Sequence, residues 1–257
     1  MKSVQRWLLV CVLLLALCSC SLVSCSDDPT CTRVLFIGNS YTFVNDLPGT
    51  LTQLASSGGK RIETGLAAQG GWSLSDHINS VETLNQIQAS KWNFVVLQEQ
   101  SMIPASDQAR NAQMYPAARS LAAKIKAAGA RTILFVTWAH NTGWPENGMP
   151  TYESMQLAIN YGYLMLGQQL RAPLAPVGYA WLALRRQNPQ LNLWQEDGSH
   201  PNEQGTYLAA CVFYAVLFHT SPEGLSYRGN LSSENAALLQ KTAAETVLNN
   251  LKKWNLP

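Results

Sequence analysis

The sequence predicts an α/β fold: a three-layer α/β/α sandwich around a mostly parallel sheet of about five strands. Short apolar runs alternate with longer stretches of helical period through residues 31–257. The apolar runs are continuous, as strands buried on both faces require. No repeat, low-complexity stretch or linker breaks that span. At 47% hydrophobic content, 257 residues suffice for one well-buried core and are short for two.

The elements follow in order. Residues 33–37 read as a strand that stops at Gly38, and 47–57 as a helix closed by Gly58 and Gly59. A weaker strand at 61–67 precedes a helical pattern at 74–89 and a fully apolar strand at 94–97. An Ala-rich helix over 108–128 ends at Gly129 and leads into a buried strand at 132–137. A helix at 152–170, a short strand at 174–177 and a helix near 179–186 come next, and helices at 203–218 and 233–252 close the chain. In such sheets the active site lies beyond the carboxyl ends of the strands. That rule singles out Gly38-Asn39-Ser40, Gln69-Gly70-Gly71, Gln98-Glu99-Gln100 and Trp138.

The chain opens on an export signal: Lys2 and Arg6 flank the start of a short apolar run, too short for a comfortable membrane span. Leu22-Val23-Ser24-Cys25 resembles a bacterial lipobox, in which the cysteine is acylated and becomes the first residue of the mature protein. Leu17-Cys18-Ser19-Cys20 is a less regular alternative. The expected division is a signal at 1–25, a polar tether at 26–32 and one domain at 33–257. The mature protein would be lipid-anchored to a bacterial membrane, facing periplasm or exterior. Losing Lys2 and Arg6 turns 18 basic against 16 acidic residues into 16 against 16. No Lys/Arg run remains, so nucleic acid is not an expected partner. Of six cysteines, Cys31 and Cys211 remain for the domain, as one disulfide or as two buried thiols. No spacing suggests a zinc site.

Chemistry begins at Gly38-Asn39-Ser40. A glycine at a strand end permits a sharp turn, and a serine there projects its hydroxyl and its N–H into one small volume. Gly-Asn-Ser is also an ordinary turn. A serine needs a base, and the chain has four histidines: His77, His140, His200 and His219. His200 lies in Asp197-Gly198-Ser199-His200-Pro201, where the acid can fold back and hold the imidazole in one tautomer. His140 follows a strand and could line the pocket. His77 lies near the Gly70-Gly71 loop, and His219 ends an apolar helix.

Together, VLFIGNSYT at 34–42 and DGSHPNEQGTYLAA at 197–210 resemble the SGNH/GDSL hydrolase family over residues 33–219. The resemblance implies Ser40 as nucleophile, His200 as general base and Asp197 as its orienting acid. It also implies a glycine N–H after the second strand as an oxyanion donor. In AAQGGWSLSDH, at 67–77, Gly71 takes that place, with Gly70 as the alternative. The family's Gly-x-Asn-Asp block is replaced by Gln98-Glu99-Gln100-Ser101. Gln100 falls at the Asn position as a longer-armed donor, with Gln98 as the alternative. Glu99 either contacts substrate or is a solvated loop acid. LQEQS resembles a variant subgroup of bacterial SGNH-like proteins. Asn39 replaces the family's Asp, outside the triad.

The implied reaction is serine-dependent ester hydrolysis through an acyl-enzyme, with no cofactor and no metal. Family members act on acetylated sugars, other carbohydrate esters, lipids and thioesters. An envelope location favours carbohydrate esters, such as O-acetyl groups on polysaccharide. Trp72, Trp138 and Trp144 fall in loops near the site, where they either stack on sugar rings or pack. The rival reading is a surface lipoprotein that binds glycans on the same fold without turnover. A metal-dependent hydrolase built on Asp197 and His200 lacks a clear third ligand.

Overall fold

The computed structural model describes Cys25 and residues 28–257. The signal read at 1–25 lies outside them except for Cys25. Five parallel strands, β1 (Thr32–Gly38), β2 (Ile62–Ala68), β3 (Phe94–Leu97), β4 (Arg131–Phe135) and β5 (Leu174–Ala175), form one sheet in the order β2-β1-β3-β4-β5. Residues 34–37, 95–97 and 133–135 are buried, which is why their sequence shows no polar alternation. The edge strand β2 is only partly covered, and its pattern is correspondingly weak.

A single turn, α1 (Ser40–Phe43), follows β1. One face of the sheet is covered by α2 (Leu47–Ser57) and α9 (Glu203–Phe218), with α8 (Val177–Gln187) and α10 (Ser233–Leu248) against α9. The other carries α3 (Leu74–Asn79), α4 (Val81–Ala89), α6 (Tyr115–Ala127) and α7 (Tyr152–Leu170). Residues 205–217 of α9 are all buried, as befits a helix apolar on every side.

Two long helical patterns are interrupted. At 74–89, Ser80 ends α3 and its hydroxyl accepts from Thr83 N–H, capping α4. At 108–128, a short α5 (Asp107–Ala109) passes through a π turn at Arg110–Met114 before α6, whose second residue is Pro116. Proline has no N–H to continue the regular ladder, and the wider turn absorbs the break. The last helix stops at Leu248, and a 3-10 turn, Leu251–Trp254, follows.

The cysteines depart from expectation. Cys25 is disulfide-bonded to Cys31, with Cα atoms 5.7 Å apart, and Cys211 is a free thiol buried in α9. A sulfur in a disulfide cannot carry a thioether lipid, which withdraws Cys25 as acceptor. Cys31 is likewise not the partner of Cys211. Cys25 N–H also donates to Glu63 (3.3 Å) and Asp28 pairs with Arg61, so this segment is fastened beside β2.

In this strand order the connections leaving β1 and β3 run to opposite faces, through α2 and α6. A crevice therefore opens at the carboxyl ends of β1 and β3. Ser40 follows one of those strands and Gln98-Glu99-Gln100 the other.

Candidate active site

Gly38 ends β1 because there is no room for more: a Cβ there would lie 2.4 Å from Gln98 Oε1 and 2.8 Å from Thr42 Oγ1. Asn39 then knots the turn that carries Ser40. Its Oδ1 accepts from Tyr41 N–H (3.0 Å), capping α1, and its N–H donates to Gln98 Oε1 (2.8 Å). Its Nδ2 donates to the Trp72 carbonyl (2.8 Å), a bond that an aspartate could not make. The departure from Asp at this position thus has a physical reason that sequence alone did not supply.

The histidine arrives from 160 residues away, where Ser40 Oγ lies 2.8 Å from His200 Nε2. On its far side His200 Nδ1 is 2.5 Å from Asp197 Oδ2. Asp197 Oδ1 accepts from the N–H groups of Ser199 and His200, each at 2.9 Å. This Asx-type turn needs the left-handed Gly198 (φ 67°) at its centre. Burial acts to raise the Asp197 pKa, but these hydrogen bonds outweigh it and hold the carboxyl below its usual range. The loop is held by Trp138 Nε1 donating to Ser199 O (2.9 Å), Asn141 N–H donating to Gly198 O (2.8 Å) and Tyr41 OH at 2.7 Å from Ser199 Oγ.

Among the described residues, neither Ser40 N–H nor Gly71 N–H is engaged by a protein acceptor. An oxyanion donor must be free in this way. Gly71 sits at φ 76° in an exposed turn, followed by partly exposed Trp72 and the Ser73 cap of α3. Gly70 is exposed beside it, with Phe43 at 4.0 Å from where its Cβ would stand. Gln100 is held by its carbonyl end. Its Oε1 accepts from Met102 N–H (2.8 Å) and Ile103 N–H (3.2 Å), and its Nε2 lies 3.4 Å from Ser101 Oγ. Here it caps a turn.

Three further candidates, Gln98, Glu99 and Trp138, are fully buried. Gln98 accepts from Asn39 N–H and from Thr42 Oγ1 (2.9 Å), so it braces the nucleophile turn. Glu99 is not a solvated acid: its Oε1 accepts from Leu74 N–H (3.0 Å) and Gln100 N–H (2.7 Å), joining the two loops that follow β2 and β3. Burial pushes its pKa up to about 7, those two bonds opposing the rise. Trp138 is sandwiched between Tyr41 (4.6 Å between ring centroids) and Trp181 (4.2 Å), out of reach of a sugar.

His77 supports the same turn from below. Its Nε2 lies 2.7 Å from the Gly38 carbonyl, so it carries the proton there, and Nδ1 accepts from Thr83 Oγ1 (2.9 Å). Burial lowers its pKa, which suits this neutral tautomer. His140 is partly buried, with Nε2 3.2 Å from Ser101 Oγ, and burial lowers its pKa too. His219 ends α9 in a left-handed conformation away from this cluster.

Solved structures share this architecture. A protein from Slackia heliotrinireducens classed as an SGNH hydrolase is 29% identical, at a TM-score of 0.63, over 73% of this chain and 99% of its own. This is an SGNH/GDSL-like chain. A DUF4886 family protein from Bacteroides uniformis shares the fold at a TM-score of 0.72 and 18% identity, covering 85% of this chain and 95% of that one. An acetyl xylan esterase does so at 0.58 and 14% identity, covering 72% and 100%. No family model matches the chain, and no curated protein matches it. In this SGNH/GDSL-like chain, hydroxyl, imidazole and carboxylate are arranged as in an esterase-type hydrolase. The block after β3 is rebuilt around buried Gln98 and Glu99.

Proposed function

We propose that the chain is a serine-dependent ester hydrolase working through an acyl-enzyme. The continuous hydrogen-bonded chain Ser40–His200–Asp197 carries this reading. Ser40 Oγ attacks the ester carbonyl carbon while its proton passes to His200 Nε2. The oxyanion is met by the N–H groups of Ser40 and Gly71. Collapse breaks the bond to the alcohol oxygen, which leaves with the proton from Nε2. Water then adds to the acyl-enzyme, giving a proton to Nε2. That proton returns to Ser40 Oγ as the carboxylic acid departs. Asp197 keeps the proton of neutral His200 on Nδ1 and offsets the imidazolium charge.

The preferred substrate in this reading is an acyl group on a carbohydrate. The likeness to an acetyl xylan esterase and the partly exposed Trp72 beside Gly71 support it. Hydrolysis of p-nitrophenyl acetate tests the mechanism. Ser40→Ala is expected to lower kcat by ~10⁴-fold or more, and an unchanged rate would remove Ser40 from the chemistry. A second reading, glycan binding without turnover, is motivated by Gln98-Glu99-Gln100-Ser101 standing where the family has Gly-x-Asn-Asp. Its mark is wild-type protein that retains an acetylated xylo-oligosaccharide and releases no acetate.

The localisation in this reading is an exported, lipid-anchored protein, with Cys20 as acceptor now that Cys25 is bonded to Cys31. Metabolic labelling with palmitate is expected to mark wild-type protein and the Cys25→Ser variant, but not Cys20→Ser. Label retained in Cys20→Ser sinks that assignment.

A further inference from the structure

Beside the catalytic loop runs a groove of about 560 Å³ whose walls include Asn141, Thr142, Thr151, Tyr152, Arg185 and Arg186. Asn141 belongs to both places. Its N–H donates to Gly198 O in the Asp197-to-His200 turn, and its Oδ1 accepts from Arg185 Nη1 (3.0 Å). Arg185 leaves the last turn of α8 and is only partly exposed. Its guanidinium stands 4.9 Å from the Tyr152 ring centroid and 4.8 Å from that of Trp194. Trp194 is itself locked, fully buried, with Nε1 donating to Ala139 O (3.2 Å).

Among the described residues Arg185 has no carboxylate partner, whereas its neighbour Arg186 pairs with Glu153 (3.0 Å). A guanidinium braced by two aromatic rings and one amide oxygen has lost its freedom but keeps most of its N–H fork unused. That is the preparation for a planar oxyanion, which such a fork meets with paired charge-assisted hydrogen bonds. The exposed Arg186–Glu153 pair is a weak one and can yield a second cation to the same ligand. Hydrolysis of a neutral ester at Ser40 has no use for either arginine.

We infer that this groove is a subsite for the carboxylate of an acidic sugar, borne by the same glycan whose ester Ser40 attacks. The inference rests on the hydrolase reading above and narrows its substrate to acylated acidic glycans. Asn141 ties the groove to the catalytic turn, through Gly198 O on one side and Arg185 on the other.

The test compares kcat/KM on two acetylated xylo-oligosaccharides, one neutral and one carrying a glucuronic acid branch. Wild-type protein is expected to prefer the acidic one, and Arg185→Gln to reduce that preference by about 10- to 100-fold, mainly through KM. Arg185→Lys, a point charge without the fork, should restore part of it. Equal rates on the two substrates in wild-type protein, or a preference untouched by Arg185→Gln, would overturn the subsite. If wild-type protein hydrolyses neither, the esterase reading fails. Calorimetric titration of the unacetylated acidic oligosaccharide then decides the groove: binding lost in Arg185→Gln upholds it, and no binding refutes it.

Discussion

At position 99 a carboxylate has one oxygen engaged by two N–H groups and, among the described residues, the other by none. Burial lifts its pKa from an ordinary 4.5 to about 7. The folded protein therefore holds a proton that the unfolded chain has released between those values. The stabilising contribution is full below about 4.5, declines with rising pH, and is gone above about 7. Glu99→Gln is expected to abolish this slope. Its melting temperature should exceed that of wild type above about pH 7, by the equivalent of up to ~3 kcal/mol, and the two should converge near pH 4.5. Parallel melts across that range decide it, since a pH-independent gap would mean that Glu99 does not titrate there. Ser40, Asp197 and His200 were picked out in the sequence by residue type, a local turn and the SGNH/GDSL resemblance, and the fold brings the three together. Gln98 and Glu99 were located but misread, and of the two roles open to Trp138 the fold takes packing. The end of a strand tells that a residue is near the crevice, not whether its side chain turns to solvent or to the core.

Elements set the tolerances of the site. β1 stops where its last residue meets Gln98, the group that also holds Asn39 N–H. Gly38→Ala would push that acceptor aside and tilt the turn bearing Ser40. A displacement near 1 Å can cost about 10²-fold in rate. Gly38→Ala is expected to lower kcat by that order while far-UV circular dichroism stays native. Full activity in the variant would show that the strand end has slack. The helices were less evenly legible than the strands. The interior of α7 follows from helical period and that of α9 from a continuous apolar run, whereas the breaks at Ser80 and at the π turn depend on one side-chain oxygen and one proline within otherwise helical runs.

Over the whole molecule, the triad joins the first strand to the loop before α9, and its base loop hangs on the buried Tyr41–Trp138–Trp181 stack. Esterase activity and the near-UV dichroism of that stack are expected to vanish in a single thermal transition. Loss of activity well before the aromatic signal would show that the catalytic loop opens independently. The sequence by itself determined the α/β alternation, the nucleophile turn and the Asp-x-x-His pair, since these rest on period and on contacts within a few residues. Only the tertiary structure decided that Cys25 meets Cys31, that the glutamines brace loops, and that Trp138 is a core ring while Arg185 stands without an acid. Burial and pairing are set by neighbours distant along the chain, and no local pattern encodes them.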